Sequence, residues 1–290
     1  MFKIPPRVAA IHDLSCFGRC ALTVIIPTLS ALGVQTVPVP TALLSTHTGG
    51  FTDMFFADLS REMDEISAHF KELDLKFDAI YSGFLGSEAQ IERVSSFIDS
   101  FAKEGAPIFV DPVMGDDGVL YSTYTKELGE GMRHLVSKAD IITPNYTEAC
   151  FLTDTPYRKT EEMSEKELEA LAGELIEKLF LLGAKKIAVT GFVSQKSVIT
   201  FGSEGGEIFA DRQDRLSASY PGTGDLFASA LLGYFLDGNS FANSTRKACK
   251  FTSEVINYTM RFPTPHRDGV MLEPCLRLLL ENGEKQTSED

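Results

Sequence analysis

Short runs of β-branched and other apolar residues alternate along the chain with stretches whose apolar positions recur every three to four residues. RVAAIH at 7–12, VQTVPV at 34–39, DAIYSGF at 78–84, PIFVD at 107–111, ADIIT at 139–143 and KIAVTG at 186–191 have the length and bulk of buried strands. Between them the helical period dominates. It is clearest at Leu168, Leu171, Leu175, Ile176, Leu179 and Phe180, opposite a solvated face of Glu167, Glu169, Glu174 and Glu177. Such alternation predicts right-handed crossovers and a mostly parallel sheet with helices on both faces, an α/β fold.

Beyond Gly191 the rhythm changes. SVITFG at 197–202 and GEIFADR at 206–212 predict an antiparallel hairpin at one edge of the sheet. From Thr223 the pattern is helical nearly to the end, over 225–237, 240–261 and 270–281, and NGEKQTSED at 282–290 reads as a frayed polar tail. The segment 51–70 also reads as helical. No linker or repeat interrupts the 290 residues, so one domain over 1–290 is expected.

Composition narrows the partners. Hydrophobic residues make up 43% and charged residues 23%, which suits a folded globular chain and rules out wholesale disorder. The 41 acidic against 27 basic residues leave a formal charge of −14. That field repels phosphate backbones and anionic lipid, so neither nucleic acid nor a membrane surface is expected as a partner. A small anion is different, because a local nest of backbone amides can hold it against the global field. The five cysteines, Cys16, Cys20, Cys150, Cys249 and Cys275, are scattered without a CxxC pair and read as reduced thiols of a cytoplasmic protein. Nothing completes a metal site around Cys16 and Cys20. The apolar run 8–11 is too short for a signal peptide's core, and the longest, 226–236, falls short of the ~20 residues of a membrane span.

In an open parallel sheet, ligands bind at the carboxyl ends of the strands. The chemistry-bearing residues gather there. Asp13-Leu14-Ser15-Cys16-Phe17-Gly18 follows the first strand, Ser45-Thr46-His47-Thr48-Gly49-Gly50 the second and Ser82-Gly83-Phe84-Leu85-Gly86-Ser87 the third. Asp111-Pro112-Val113-Met114-Gly115 and Thr143-Pro144-Asn145-Tyr146-Thr147-Glu148 follow the next two. Pro221-Gly222-Thr223-Gly224-Asp225 opens an apolar helix. One crevice lined by six loops is the economical interpretation.

Neither GxxxxGK followed by Ser or Thr, nor a strand followed by GxGxxG, occurs, so the two standard nucleotide loops are excluded. What remains is Gly222-Thr223-Gly224-Asp225. Two glycines let backbone amides converge, and the helix dipole adds about half a positive charge, which makes an anion hole. Asp225 would repel a phosphate there unless it had another task, such as taking a proton from a hydroxyl that attacks that phosphate. The structural alternative is a favourable first-turn acid. Asp111 and Glu148, the latter expected as an exposed first-turn acid, are natural Mg²⁺ ligands beside such a hole, though each has a capping role open to it.

These motifs, in this order and spacing across nearly the whole chain, resemble the ribokinase superfamily. Ser45-Thr46-His47-Thr48-Gly49 and Ser82-Gly83-Phe84-Leu85-Gly86-Ser87 resemble the pyridoxal kinases within it. The resemblance implies a three-layer α/β/α sandwich and transfer of the ATP γ-phosphate to the 5′-hydroxyl of pyridoxal, pyridoxine or pyridoxamine. It implies Asp225 as general base, with Gly222, Thr223 and Gly224 as the anion hole. Asp111, Asn145 and Glu148 would organise Mg²⁺ and the phosphates, Thr190 would touch the nucleotide, and Arg212 and Gln213 would lie in a mobile flap over ATP. His47 and Thr48 would hold the vitamin ring. A monovalent cation such as K⁺ and a homodimer are also implied.

Two positions depart from the pyridoxal kinase pattern. Asp13 stands where many have serine, either capping its loop or meeting the pyridine ring and favouring its protonated form. Phe84 replaces a usual tyrosine and leaves only ring stacking. Both put substrate preference in question more than phosphoryl transfer. Hydroxymethylpyrimidine kinases are the near rival, but they usually carry cysteine where Asp225 stands. A sugar kinase would need an inserted β lid, for which 51–70 leaves little room. A non-catalytic vitamin-binding regulatory protein would have lost the base or the hole, and both are intact.

Overall fold

The structure is a computed structural model and describes residues 4–121 and 124–284. Its strands are β1 (Arg7–Phe17), β2 (Gln35–Thr46), β3 (Phe56–Asp58), β4 (Ala79–Ser82), β5 (Ile108–Val110), β6 (Gly115–Asp116), β7 (Val119–Leu120), β8 (Ile141–Ile142), β9 (Lys186–Val193), β10 (Ser197–Glu204) and β11 (Glu207–Asp214). Nine of them form one sheet in the order β11-β10-β9-β8-β5-β4-β1-β2-β3, while β6 and β7 make a separate ribbon. The sheet is parallel from β9 through to β2. The hairpin of β10 and β11 extends it antiparallel at one edge, and β3 does so at the other.

Helices cover both faces, giving the expected three layers. Alternate strand residues explain why. Ala9, Ile11, Ile80, Val110, Ile142 and Val189 point to one core, shared with α2 (Ser60–Glu72), α3 (Glu88–Phe101), α4 (Lys126–Ser137), α5 (Tyr146–Leu152) and α6 (Glu165–Leu181). Val8, Ala10, Tyr81, Phe109, Ile141 and Ala188 point to the other, shared with α1 (Leu22–Ala31), α7 (Thr223–Leu236), α8 (Phe241–Thr259) and α9 (Arg277–Glu284). Strands buried on both faces read as continuous apolar runs, which is why the central ones stood out.

Several boundaries move. Residues 56–58 are not helical: they pair with Ala42, Leu43 and Leu44 of β2 before α2 begins. β1 runs on to Phe17 and β2 to Thr46, so Asp13, Ser45 and Thr46 lie in strands rather than loops. Residues 270–281 are helical only in part, a 3-10 turn at Glu273–Cys275 preceding α9, and α9 continues through 284. The rest of the expected polar tail, 285–290, lies outside the described residues. In α6 a capping box between Ser164 and Glu167 starts the helix and the stripe is buried as expected, except that Leu171 is only partly buried and Phe180 is 57% exposed.

The outer part of β2 is unpaired by β3. Gln35 N–H donates to the Pro6 carbonyl (2.9 Å), which turns the odd-numbered amides of this stretch toward β1 and the even-numbered positions, Pro38 and Pro40 among them, toward the open edge.

Candidate active site

Gly222 caps α7 in the left-handed region (φ 80°), where a Cβ would also run into the Arg19 carbonyl. Only glycine fits both demands. Thr223 ties the turn by donating its hydroxyl to the Tyr220 carbonyl (3.0 Å), and Gly224 faces open space. One turn in, Asp225 Oδ2 accepts the Ala21 N–H (2.8 Å) and the Cys20 thiol (3.5 Å). Both donors sit at the start of α1, so the two helix N-termini meet at this carboxylate. Burial pushes its carboxyl up to about 6, with the Ala21 amide pulling the other way.

Asp111 follows β5 and is buried, its amide donating to the Ser82 carbonyl (2.8 Å). Glu148 is also buried, at 4% exposure, which corrects the expectation of an exposed acid. Its Oε2 accepts the Asn145 N–H (2.7 Å) and its Oε1 the Met114 N–H (3.0 Å). Asn145 completes a capping box on α5, Oδ1 accepting the Glu148 N–H (2.9 Å), and its Nδ2 donates to the Gly115 carbonyl (2.8 Å). Asn145 is thus a scaffold residue as found. Thr190 lies within β9, which runs on to Val193; it bridges to Asn145 and donates its amide to the Pro144 carbonyl (3.0 Å).

Desolvation raises both the Asp111 and the Glu148 carboxyls, and for Asp111 the charges of Glu148 and Asp225 add to it. Among the described residues no group of three or more His, Cys, Asp or Glu side chains is arranged to hold a metal unaided. A cation completed by water or phosphate oxygens fits better. Mutual repulsion of buried carboxylates is what a divalent ion cancels, and Mg²⁺ characteristically takes one or two carboxylates plus substrate oxygens.

Arg212 and Gln213 do not share a face. They are consecutive residues of β11, paired with Ile199 and Val198 of β10, and so point to opposite faces. Arg212 lies against α6, near Glu165 (3.7 Å) and Glu169 (3.5 Å), and Gln213 donates to Asp211 Oδ1 (2.7 Å). Both are in a regular strand rather than a flap.

At the other end of the cleft, β2 carries one extra residue between the pairs His12 with Pro40 and Leu14 with Leu43. Asp13 sits opposite that bulge, buried, its Oδ2 accepting the Ser15 hydroxyl (2.9 Å), and burial raises its carboxyl. His47 is buried too. Gly49 N–H donates to its Nδ1 (3.0 Å), so the proton rides on Nε2, which donates to the Arg267 carbonyl (2.7 Å). Both nitrogens are therefore engaged by backbone. Thr48 is exposed and Phe84 half-buried.

Sequence reasoning missed Cys20 and Ala21, which touch Asp225 from 205 and 204 residues away. It also missed His12, fully buried edge-on to Tyr81 (4.3 Å) with its pKa lowered by burial to about 3, and so neutral. The one signal for His12 was a histidine inside an otherwise apolar strand.

The fold is shared with known proteins. A crystal structure of a Bacteroides thetaiotaomicron protein proposed to be a phosphomethylpyrimidine kinase superposes with a TM-score of 0.90 at 38% identity, covering 96% of this chain and 94% of that one. A second crystal form of it, with pyridoxal, gives 0.88. Pyridoxal kinase from Lactobacillus plantarum gives 0.87 at 28% identity, covering 97% and 98%. The pyridoxine/pyridoxal/pyridoxamine kinase of Bordetella avium is 25% identical over 95% of this chain and 94% of its own length. With residues 10–268, from β1 to the turn beyond α8, matching a single family description, the chain belongs to the phosphomethylpyrimidine kinase family.

Proposed function

We propose that this chain transfers the γ-phosphate of ATP to the 5′-hydroxyl of a B6 vitamer: pyridoxal, pyridoxine or pyridoxamine. The observation that carries it is the half-buried Asp225 carboxylate, set beside the amides of the α7 N-terminus, its pKa raised by desolvation to about 6. An acid held near neutrality is suited to take a proton from an alcohol, and the adjacent amides suit the phosphate that the alcohol attacks. Because Ala21 and Cys20 both lie on Oδ2, Oδ1 is the oxygen left to receive that proton. The acceptor class rests on the likeness to pyridoxal kinases and on the 38%-identical relative crystallised with pyridoxal.

Asp111 and Glu148 would hold Mg²⁺, directly or through water, and the ion would neutralise charge on the phosphates. Asn145 and its capping box keep Glu148 aimed at the cleft, and Thr190 borders the nucleotide. Asp13, Thr48 and Phe84 line the acceptor end, with His47 fixing the turn that carries Thr48. A monovalent cation, a homodimer, a cytoplasmic setting and the action of 1–290 as one kinase domain complete the reading. No helix among the described residues is long and apolar enough to cross a membrane.

The test is a steady-state comparison of the three vitamers and hydroxymethylpyrimidine with MgATP. Turnover of the vitamers is expected. Turnover of the pyrimidine alone would refute the acceptor assignment while leaving phosphoryl transfer in place.

A further inference from the structure

The acceptor end of the cleft is bordered by two segments far apart in sequence. One is the turn after β2, residues 47–51. The other is a single 3-10 turn, His266–Asp268, between α8 and α9. Phe51 lies between them. Its ring meets that of His47 edge-on at 5.0 Å and that of Phe17 at 6.0 Å. The Arg267 guanidinium carbon sits over it, 4.9 Å from the centroid. The Arg267 carbonyl takes the His47 Nε2 hydrogen bond (2.7 Å), and a Cβ at Gly50 would stand 3.3 Å from the Arg267 Cβ. The same turn backs onto the anion hole, since a Cβ at Gly49 would lie 3.7 Å from Pro221 Cγ. It also backs onto the end of β1, where a Cβ at Gly18 would strike the His47 ring. Arg267 is exposed, and among the described residues no carboxylate pairs with its guanidinium. Its charge is directed at the ring.

We infer that Arg267 is a positioning residue for the acceptor substrate: its guanidinium holds Phe51, and with it the turn 47–51, against the acceptor end of the cleft. This rests on the kinase reading above for the chemical name of the acceptor. The nucleotide end is untouched, because none of these contacts reaches Asp111, Asn145 or Glu148. A cation over an exposed aromatic face is worth roughly a factor of two to five, and more once a bound substrate excludes water.

The experiment measures kcat and KM for pyridoxal and for MgATP in the parent, Arg267→Met, Arg267→Lys, Phe51→Leu and the Arg267→Met, Phe51→Leu double variant. Methionine keeps the length of the side chain without its charge, whereas lysine keeps a cation for the ring. Arg267→Met should raise KM for pyridoxal about fivefold while KM for MgATP moves less than about twofold, and Arg267→Lys should recover most of the loss. Phe51→Leu should resemble Arg267→Met, and the double variant should be no worse than either. Parallel rises in both KM values, a lysine variant no better than methionine, or effects that multiply in the double variant would each overturn the assignment. If the parent turned over only hydroxymethylpyrimidine, the acceptor reading would fail, and the same series with that acceptor would still decide on Arg267. Should Arg267→Met not fold, Phe51→Tyr against Phe51→Leu is decisive. Tyrosine keeps the ring face and should keep the parent KM, and equal KM values for the two would reject the clamp.

Discussion

The two ends of the cleft are built differently. At the nucleotide end, Glu148 reaches Met114 across 34 residues, Asn145 reaches Gly115 across 30, and the capping box spans 3. At the acceptor end, His47 meets Arg267 across 220 residues, Ala21 meets Asp225 across 204, and the Arg19 amide meets the Asp268 carbonyl across 249. The first is a compact unit of two successive βα loops whose hydrogen bonds are nearly self-contained. The second exists only when the two halves of the chain have come together. The metal-side carboxylates sit where local sequence can specify their supports, whereas the base and the acceptor end depend on segments from both halves of the chain.

The largest expected effect joins the two ends. Asp225→Asn should lower kcat by roughly 10²–10⁴, about 3–5 kcal/mol of barrier, with KM for ATP little changed. A variant keeping more than about a third of the parent kcat would reduce Asp225 to a helix cap. The pH profile sharpens this point. Because burial raises the Asp225 pKa to about 6, the base is lost as pH falls through that value. The log of kcat/KM should therefore drop with unit slope below about pH 6, and a profile flat to pH 5 would contradict the assignment.

Next comes the nucleotide end. Glu148→Gln leaves one carbonyl oxygen for two buried amide donors, those of Asn145 and Met114. It should destabilise the fold by about 1–3 kcal/mol in chemical denaturation, as well as raising the Mg²⁺ needed for half-maximal rate. Denaturation midpoints equal to the parent's would mean these bonds matter little. The smallest effect is at Asp13. Asp13→Asn keeps the shape but removes the charge proposed to meet the pyridine ring, so KM for vitamers should rise about 10-fold, or 1.4 kcal/mol, with KM for ATP unmoved. An unchanged affinity and absorption spectrum of bound pyridoxal would leave Asp13 as a strand-bulge residue.

Much of the fold was legible because buried parallel strands write themselves as apolar runs, and the hairpin of β10 and β11 carried its own turn. The placement of Asp111, Asn145, Glu148 and Gly222 was legible because each lies in a contiguous motif at a strand end or helix start. β3 was not, because three residues pairing with one edge carry too little periodicity to register against the helix that follows. The facing of Arg212 was not legible, because strand alternation turns it toward α6, which a motif in one dimension does not reveal. His47 was read as a ligand contact. Its partner's carbonyl lies 220 residues on, and only the topology brings them together.

The open margin of β2 bears on assembly. An uncovered strand edge normally offers a ladder of amides to any extended chain, including a second copy of the same protein. Here two of the outward positions are Pro38 and Pro40, which carry no N–H at all, and beyond them β3 occupies the margin from Ala42 to Leu44. A continuous intermolecular ladder cannot form along the exposed margin of β2 itself. Replacing both prolines with valine would restore two outward amides and is expected to turn a solubility device into a seed for edge-to-edge aggregation.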